Sequence, residues 1–467
     1  MNKNDTTWKH LFSNGNGLKT ITLALGVMLH ATNVYLATTI MPSIIKEIGG
    51  LEYYAWNTTI FIVASVIGSV VSANQMGKSG PRKAYQIGIL LFSIGVLVCS
   101  SAPTMYVLLA GRFIQGFGGG LLFALSYAMI RLIFSEELWS RAMALVSGMW
   151  GIAAFSGPFI GGIFAENGHW RMAFGVLLIF CIFLLIISSR TLPKIKNQER
   201  VSPIPYLKLA LLGLAALTVS ISSIQKDITG SLIGICTAFF LLVLLVISEK
   251  KSKNRLLPTG AYTISTPLGT TYSIMALLTI ATSIEIYVPY FAQIIDGLSP
   301  LQSGYLTVLI AIGWTLSSLL FSGLKENRVN KVIPIGAFIM LLGLIGLCYF
   351  SVMASQTFTI KLILTCIFLL LIGIGIGMGW PHLLTKVFSL SPSGEEDLAS
   401  SSVTTVQLIA TSFGAAIAGL VTNFGGITHP GGIIGTAQAS VYLYGSFAVA
   451  PLIAIILCFL LKMNQSK

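Results

Sequence analysis

Three ionisable side chains lie inside apolar stretches of the sequence, where each could carry proton or charge chemistry. Glu285 is the carboxylate that lies well inside such a stretch, in the segment SIEIYVPY, and Arg112 and His30 lie in two others. A charge in hydrocarbon is costly, so such residues commonly mark proton or ion pathways. We expect Glu285 to bind a proton or to recognise a charged solute. A structural carboxyl group that hydrogen-bonds between helices is the alternative.

Arg112 and His30 each allow two interpretations as well. A guanidinium several residues inside an apolar helix needs a cavity or a partner, unless its long side chain snorkels toward the headgroups. Histidine titrates near neutral pH, so His30 could exchange a proton. A hydrogen-bonded histidine that packs between helices is the interpretation that the sequence favours for His30.

The elements that must position these residues are apolar helices. Of the 467 residues, 55% are hydrophobic and only 9% are charged, against about 25% charged in soluble domains. Stretches of about 20 apolar residues can cross a bilayer, and only helices satisfy their own backbone there. The sequence predicts fourteen such helices, at 20–42, 55–75, 84–102, 105–130, 142–165, 172–189, 207–225, 229–248, 268–293, 301–323, 332–353, 361–385, 402–422 and 438–461.

Basic residues predict the orientation of these helices. With both termini cytoplasmic, the outer segments hold only Lys46, Arg171, Lys226 and Lys361, and the other basic residues outside the spans, including Lys3 and Lys467, fall inside. This asymmetry follows the positive-inside rule, and a shift by one helix would destroy it. The net charge of +13 is therefore a topology signal, and no compact basic domain is present to bind nucleic acid.

The predicted organisation is two six-helix bundles with an extra helix pair between them. Basic linkers at 190–200 and 249–258 flank that pair. The predicted divisions are a cytoplasmic N-terminus at 1–19, a first bundle at 20–190, a linker with the two extra helices at 191–258, a second bundle at 259–461 and a cytoplasmic C-terminus at 462–467.

Four sequence motifs together resemble one family. GRFIQGFGGG at 111–120 resembles the R-x-x-Q-G motif of the major facilitator superfamily, and SGPFIGG at 156–162 resembles the G-P-x-x-G-G antiporter motif, followed by HWR at 169–171. WNTTIFIVA at 56–64 and YVPYFAQIIDGLSPLQSG at 287–304 are similar to segments of the fourteen-span drug:proton antiporters. The resemblance covers nearly the whole chain and includes the helix count.

The resemblance implies roles for further residues. The antiporter motif, Gly157, Pro158, Gly161 and Gly162, would form the outer seal and hinge, although packing alone also explains glycines in membrane helices. Arg112, with Gln115, would relay proton binding to solute release. Because Arg112 and Glu285 fall in opposite halves, they could meet across a cavity.

The sequence also departs from the family pattern. Alignment on IMPSI at 40–44 places Asn33 where the family usually has an aspartate, and asparagine cannot titrate. His30 lies one turn earlier on the same helix face and could titrate instead. In the inner loop, Gly80, Arg82 and Lys83 match the family's gate motif, but Gly77 replaces its aspartate. The inner latch is therefore expected to be different or weaker.

These observations predict an inner (plasma) membrane transporter, not an enzyme, that exports a small organic solute by proton antiport through alternating access. The solute would be drug-like, or like a natural product or siderophore. The alternative is a proton-independent facilitator or importer on the same fold, which Asn33 and Gly77 favour because they replace the family's acidic residues. We expect a monomer whose partners are the solute, protons and membrane lipid, without nucleic acid.

No cofactor or metal is expected either. The six cysteines all fall in apolar stretches without metal-ligand spacing, and no phosphate-binding loop of the Walker type occurs. The glycine-rich segment 373–382 lies within an apolar helix, so it predicts close helix packing rather than a nucleotide site.

Overall fold

The computed structural model describes residues 8–13, 15–194, 204–225, 228–252, 255–324, 326–351 and 358–465, and these residues are α-helical apart from short connections and two 3₁₀ segments. The helices are α1 (Trp8–Phe12), α2 (Asn16–Ile48), α3 (Trp56–Ser79), α4 (Pro81–Ser100), α5 (Met105–Ile133), α6 (Glu136–Glu166), α7 (Trp170–Thr191), α8 (Tyr206–Ser223), α9 (Ile228–Lys251), α10 (Pro267–Thr282), α11 (Val288–Asp296), α12 (Pro300–Phe321), α13 (Glu326–Phe350), α14 (Phe358–Leu390), α15 (Glu396–Phe424), α16 (Gly432–Phe447) and α17 (Val449–Gln465).

Fourteen membrane-spanning helices are present within the described residues, as predicted. Two of them are interrupted, since α10 with α11 and α16 with α17 each form one span. The all-α membrane fold is thus confirmed. The cytoplasmic location of both termini remains a prediction. Lys3, Lys467 and the linker positions 195–203 lie outside the described residues.

Several helices extend beyond their predicted spans. α2 and α14 each contain 33 residues, whereas the apolar stretches predicted at 20–42 and 361–385 are shorter. Polar residues at the ends, such as Asn16 and Lys46, continue the helix beyond its apolar part. Hydropathy therefore located each span but not its ends.

The chain divides into two compact units. The first contains residues 1–49 and 60–206, and the second contains 50–59 and 207–467. The extra pair, α8 and α9, belongs to the second unit. The short segment 50–59 also belongs there, where the Tyr54 ring stacks on Tyr287 with centroids 4.7 Å apart. In the same unit Trp56 Nε1 donates to the Ser220 carbonyl at 3.1 Å.

Glycines bring helix backbones close together in each unit. In the first, a Cβ atom at Gly116 would lie 2.2 Å from the Phe61 carbonyl oxygen, so α3 and α5 approach where no side chain intervenes. In the second, a Cβ atom at Gly373 would lie 2.1 Å from the Ile310 carbonyl oxygen, and one at Gly375 would lie 2.5 Å from that of Gly336. The prediction that segment 373–382 packs helices is confirmed.

The two interrupted spans have separate causes in the sequence. Between α10 and α11 lies a 3₁₀ turn, Ser283–Ile286, followed by Pro289 in the first turn of α11. Between α16 and α17 the helix breaks at Ala448, ahead of Pro451, which has no backbone N–H to donate. A 3₁₀ turn in the middle of a span often marks a functional position.

Candidate functional site

The guanidinium of Arg112 lies at the centre of a buried polar cluster in the first unit. Its Nη1 donates to Gln115 Oε1 at 2.7 Å and to Asn33 Oδ1 at 3.2 Å. Gln115 Nε2 donates to the same Asn33 oxygen at 2.8 Å. Arg112 and Gln115 share one face of α5, three residues apart, and Asn33 comes from α2. We call these three residues the Arg112 cluster.

Arg112 also lies against an aromatic ring. Its Cζ is 4.1 Å from the centroid of the Phe61 ring on α3, and the residue is only 1% exposed. A desolvated cation over a ring face gains about 2 kcal/mol. The guanidinium is therefore held inside the helix bundle, and it does not snorkel to the surface.

Asn33 takes the position of a counter-ion without carrying a charge. Its single amide oxygen accepts from both Arg112 and Gln115. Its Nδ2 has no hydrogen-bond partner among the described residues, although the residue is fully buried. The departure from the family pattern thus leaves a buried arginine that is solvated by amides.

His30 lies in an aromatic cluster formed by Phe61, Phe123 and Trp150. Its ring centroid is 5.3 Å from those of Phe61 and Phe123 and 6.1 Å from that of Trp150. Neither ring nitrogen has a hydrogen-bond partner within the described part of the chain. The histidine is packed, as the sequence favoured, but it is not hydrogen-bonded. A Cβ atom at residue 119 would lie 2.7 Å from Nδ1, so Gly119 makes room for the ring.

The aromatic cluster extends to residues that sequence reasoning missed. The Trp150 ring contacts Tyr35 at 6.5 Å and Phe123 at 6.2 Å, and both Trp150 and Tyr35 are half-buried. The sequence signal that could have indicated this cluster was a single tryptophan within a predicted span, in the segment SGMWGIAA. Such rings offer flat apolar surfaces and the negative faces that attract cations.

The antiporter motif lies where α6 packs on α2. A Cβ atom at Gly157 would lie 2.5 Å from Tyr35 Cβ, and one at Gly161 would lie 3.1 Å from the Leu36 carbonyl oxygen. Pro158 and Gly162 are buried in the same helix, which continues without interruption through the proline. Ser156 and Thr32 share a hydrogen bond of 3.2 Å across the interface. The motif thus determines the distance between α6 and the helix that carries Asn33 and His30.

The inner loop between α3 and α4 is organised by Gly80. Its φ of +77° is a conformation that favours glycine, and Pro81 begins α4. Arg82 Nε donates to the Leu192 carbonyl at 2.5 Å, which connects the start of α4 to the end of α7. Lys83 is exposed. Arg82 therefore contributes a backbone contact within the first unit.

Glu285 lies in the second unit, at the interruption between α10 and α11. It is half-buried, and within the described ranges its carboxylate makes neither a hydrogen bond nor an ion pair. Gly414 on α15 packs against this turn, since a Cβ atom there would lie 2.2 Å from Ser283 Oγ. Among the residues that the structure describes, no contact supports the structural alternative for Glu285, a carboxyl group bonded between helices.

No group of three His, Cys, Asp or Glu side chains that could hold a metal ion is present among the residues that the structure describes. His382, in the glycine-rich segment, instead bonds through Nε2 to the Phe321 carbonyl at 2.9 Å.

Comparisons with known proteins identify relatives along the whole chain. The family model described as the Major Facilitator Superfamily matches residues 23–415. A probable multidrug-efflux transporter of Mycobacterium tuberculosis is 34% identical over 461 residues, covering 96% of this chain and 95% of the relative. The multidrug transporter protein MdtP of Bacillus subtilis is 26% identical over 416 residues, covering 86% of this chain and 74% of the relative.

Solved structures share the fold at low sequence identity. A peptide transporter POT in complex with sulfate superimposes with a TM-score of 0.69 at 14% identity, covering 95% of each chain. A D-xylose-proton symporter has a TM-score of 0.65 at 15% identity, covering 95% of this chain and 97% of that one.

Proposed function

This chain belongs to the major facilitator superfamily, and from that premise we propose that it exports a small organic solute by proton antiport through alternating access. It is a multi-pass membrane transporter and not an enzyme. In the proposed cycle, proton entry down its gradient powers solute exit, and the protein acts in the inner (plasma) membrane as a monomer.

The observation that carries the proton-coupled part of this proposal is the position of Glu285. Its carboxylate has no partner among the described residues and lies at the interruption of a spanning helix. Interrupted helices commonly bind the substrate and coupling ions of secondary transporters. We assign Glu285 the exchange of the transported proton.

The Arg112 cluster and His30 have supporting roles in this proposal. Arg112 carries a buried positive charge in the first unit. The electrostatic field of this charge would change the proton affinity of nearby groups and the binding of charged solutes. A contact between Arg112 and Glu285 during transport stays a prediction. Asn33 and His30 would line the cavity, with the α2–α6 interface as hinge and outer seal and the Gly80–Lys83 loop as inner gate.

The solute class is proposed to be drug-like, or like a natural product or siderophore. The relatives named as multidrug transporters support export of such molecules. The aromatic cluster around His30, which extends to half-buried Trp150 and Tyr35, supports solutes with flat apolar parts. Its rings would also favour cationic or zwitterionic solutes.

The test uses purified protein in sealed vesicles with an inward proton gradient. Lipophilic cations, zwitterions and siderophore-like molecules are screened, and each transported solute is retested with Glu285→Gln. We expect wild type to move the solute against its gradient and the variant only to equilibrate it. Glu137→Gln, which changes an exposed carboxylate, is the matched control and should retain uphill transport.

The alternative function is a proton-independent facilitator or importer, and the neutral Asn33 is the observation that favours it. If wild type and Glu285→Gln equilibrate the solute at equal rates and neither accumulates it, proton antiport is refuted. The protein would then be reassigned as a facilitator.

A further inference from the structure

The chain that connects α2 to α3 packs within the second unit, although these two helices lie wholly or mainly in the first. At its start, the boundary between the units falls between Gly49 and Gly50, whose φ angles are +72° and +83°. At its end, the boundary falls after Thr59, within the helix α3. We call residues 50–56 the α2–α3 connection.

The last turn of α8, a helix of the extra pair, contributes two backbone carbonyls to the contact with this connection. The final four carbonyl groups of a helix have no partner within the helix. Trp56 Nε1 donates to the Ser220 carbonyl at 3.1 Å. Asn423 Nδ2, at the end of α15, donates to the carbonyls of Ser223 and Glu52, each at 3.0 Å. One amide therefore joins α8, α15 and the α2–α3 connection.

Side-chain packing completes this contact. The Tyr54 ring is 1% exposed, and its centroid is 4.7 Å from that of Tyr287 and 5.3 Å from that of Tyr290. A Cβ atom at Gly419 on α15 would lie 2.7 Å from Ala55 Cβ, so the missing side chain makes room for the connection. The α2–α3 connection thus packs closely against α11 and α15.

α8 is itself fixed within the second unit. Val219 of α8 packs with Ala238 of α9 and Ala416 of α15 in one apolar cluster. Near the other end of α8, Lys208 forms a buried ion pair with Glu249 of α9. The carbonyls in the last turn of α8 are therefore rigid acceptors for Trp56 and Asn423.

The docked connection also leaves polar groups unsatisfied. Tyr54 Oη, Ser220 Oγ and Asn423 Oδ1 are buried and have no hydrogen-bond partner among the described residues. A buried polar group without a partner is destabilising, whereas water would satisfy it if the connection moved away. The contact is therefore suited to reversible release.

Alternating access requires the two bundles to move against each other. Because α3 runs from Trp56 into the first unit without a break or a proline, a movement of that unit carries Trp56 with it. The bond from Trp56 to the Ser220 carbonyl must then break. Gly49 and Gly50, which have no side chains, allow the other end of the connection to follow.

We propose that α8 anchors the α2–α3 connection, and that release of the connection from α8 accompanies opening of the transporter to the outer face. The distribution of basic residues predicts that this end of α8, the end of α15 and the connection lie at that face. The extra helix pair would thereby influence how readily solute leaves. This inference rests on the alternating access of the proposed function, but it does not depend on which ion is coupled.

The first test fixes the connection to α8 and measures transport. Glu52→Cys and Ile224→Cys are introduced into the full-length chain with its six native cysteines replaced by serine, and a short bifunctional thiol reagent bridges them. The two sites are close, because the Glu52 carbonyl and that of Ser223, next to Ile224, accept from the same Asn423 amide. We expect the bridge to abolish ethidium movement across vesicle membranes, and dithiothreitol, which cleaves the bridge, to restore it.

Ile224→Cys/Phe424→Cys, bridged with the same reagent, is the matched control because it joins α8 to the end of α15 without the connection. It should move ethidium as the unbridged chain does. Ethidium movement at the unbridged rate in the bridged Glu52→Cys/Ile224→Cys chain would overturn the proposal. A bridge that acts as expected stops both uphill transport and equilibration, whereas a failure of proton antiport removes uphill transport alone.

The second measurement needs no transported solute. Spin labels on the Glu52→Cys/Ile224→Cys pair report the distance between the connection and α8 in lipid nanodiscs. We expect a short and a long distance, and Trp56→Phe should raise the ratio of long to short about fivefold, which corresponds to one lost hydrogen bond of about 1 kcal/mol.

Trp139→Phe is the control for the second measurement. Trp139 Nε1 donates to the Phe134 carbonyl at 2.9 Å in the first unit, so this variant loses a bond of the same kind away from the connection. It should leave the ratio of the two distances unchanged. A single short distance that Trp56→Phe does not alter, or equal changes in both variants, would contradict the anchoring role of α8.

Discussion

At the scale of single residues, the main feature is a buried guanidinium that donates hydrogen bonds to two neutral amides. Arg112 donates to the amide oxygens of Gln115 and Asn33, and the face of its guanidinium contacts the Phe61 ring. Hydrogen bonds to a charged group contribute about 1.5–3 kcal/mol each, whereas a buried charge without them is strongly destabilising. Asn33 therefore has a structural role although it cannot titrate, because its amide oxygen accepts a hydrogen bond from the buried Arg112.

The prediction at this scale is that Asn33→Asp stabilises the protein. The new carboxylate would lie where Oδ1 now accepts from Arg112 at 3.2 Å, and an ion pair would replace a hydrogen bond in which only the donor is charged. We expect a gain of about 1 kcal/mol, measured as a higher thermal unfolding midpoint in detergent. Asn33→Leu, which has no acceptor, should lower the midpoint. If Asp lowers it as much as Leu does, desolvation of the carboxylate outweighs its pairing.

At the scale of helices, the α2–α6 interface depends on residues without side chains. Gly157 and Gly161 allow α6 to approach Tyr35, Leu36 and Ile40 of α2. α2 also carries Asn33 and His30, so a change in this spacing would move both groups relative to α5. The antiporter motif thus connects helix packing to the geometry of the candidate site.

Gly157→Ala is predicted to disrupt this interface. The added methyl group would lie 2.5 Å from Tyr35 Cβ and 3.0 Å from the Thr32 carbonyl oxygen, so the helices must separate. Overpacking of this kind costs about 1–3 kcal/mol, and we expect a lower unfolding midpoint together with slower export.

Gly148→Ala on the same helix is the control for this prediction. A Cβ atom there meets nothing within 4 Å, so better helix propensity should leave the midpoint unchanged or slightly raised. Equal destabilisation by both substitutions would show that α6 needs flexibility and not the close approach.

At the scale of the whole molecule, the extra helix pair distinguishes this chain from a simple two-bundle arrangement. α8 and α9 are joined by an ion pair between Lys208 and Glu249, whose side chains are 5% and 0% exposed. Glu249 Oε2 also accepts from the Leu256 backbone N–H at 2.9 Å. The pair therefore connects both extra helices to the segment that leads into α10.

A double-mutant cycle should show strong coupling in this ion pair. Lys208→Met leaves a buried carboxylate without its counter-ion, which costs about 3–5 kcal/mol. Lys208→Met/Glu249→Gln removes both charges and retains an acceptor for Leu256, so most of the lost stability should return. Thermal unfolding of the two single variants and the double variant measures the coupling. Additive losses would contradict a buried, mutually dependent pair.

Much of the fold could be predicted because hydrophobicity acts locally along the chain. Fourteen apolar stretches, the basic asymmetry of their loops and the motif at 111–120 are readable without contacts, and the helix count and family membership followed from them. The glycine-rich segment 373–382 was also interpreted correctly, since small residues in a membrane helix have few uses other than close packing.

Less of the candidate site than of the fold could be predicted from the sequence, because the contacts in the site depend on tertiary structure. The bond between Gln115 and Asn33 joins residues 82 positions apart, and no local pattern specifies such a partner. The aromatic cluster around His30 likewise arises where helices meet. The sequence alone determined that these ionisable residues lie in membrane helices. Only the tertiary structure decided which neighbours surround them, because packing brings together side chains that are remote along the chain.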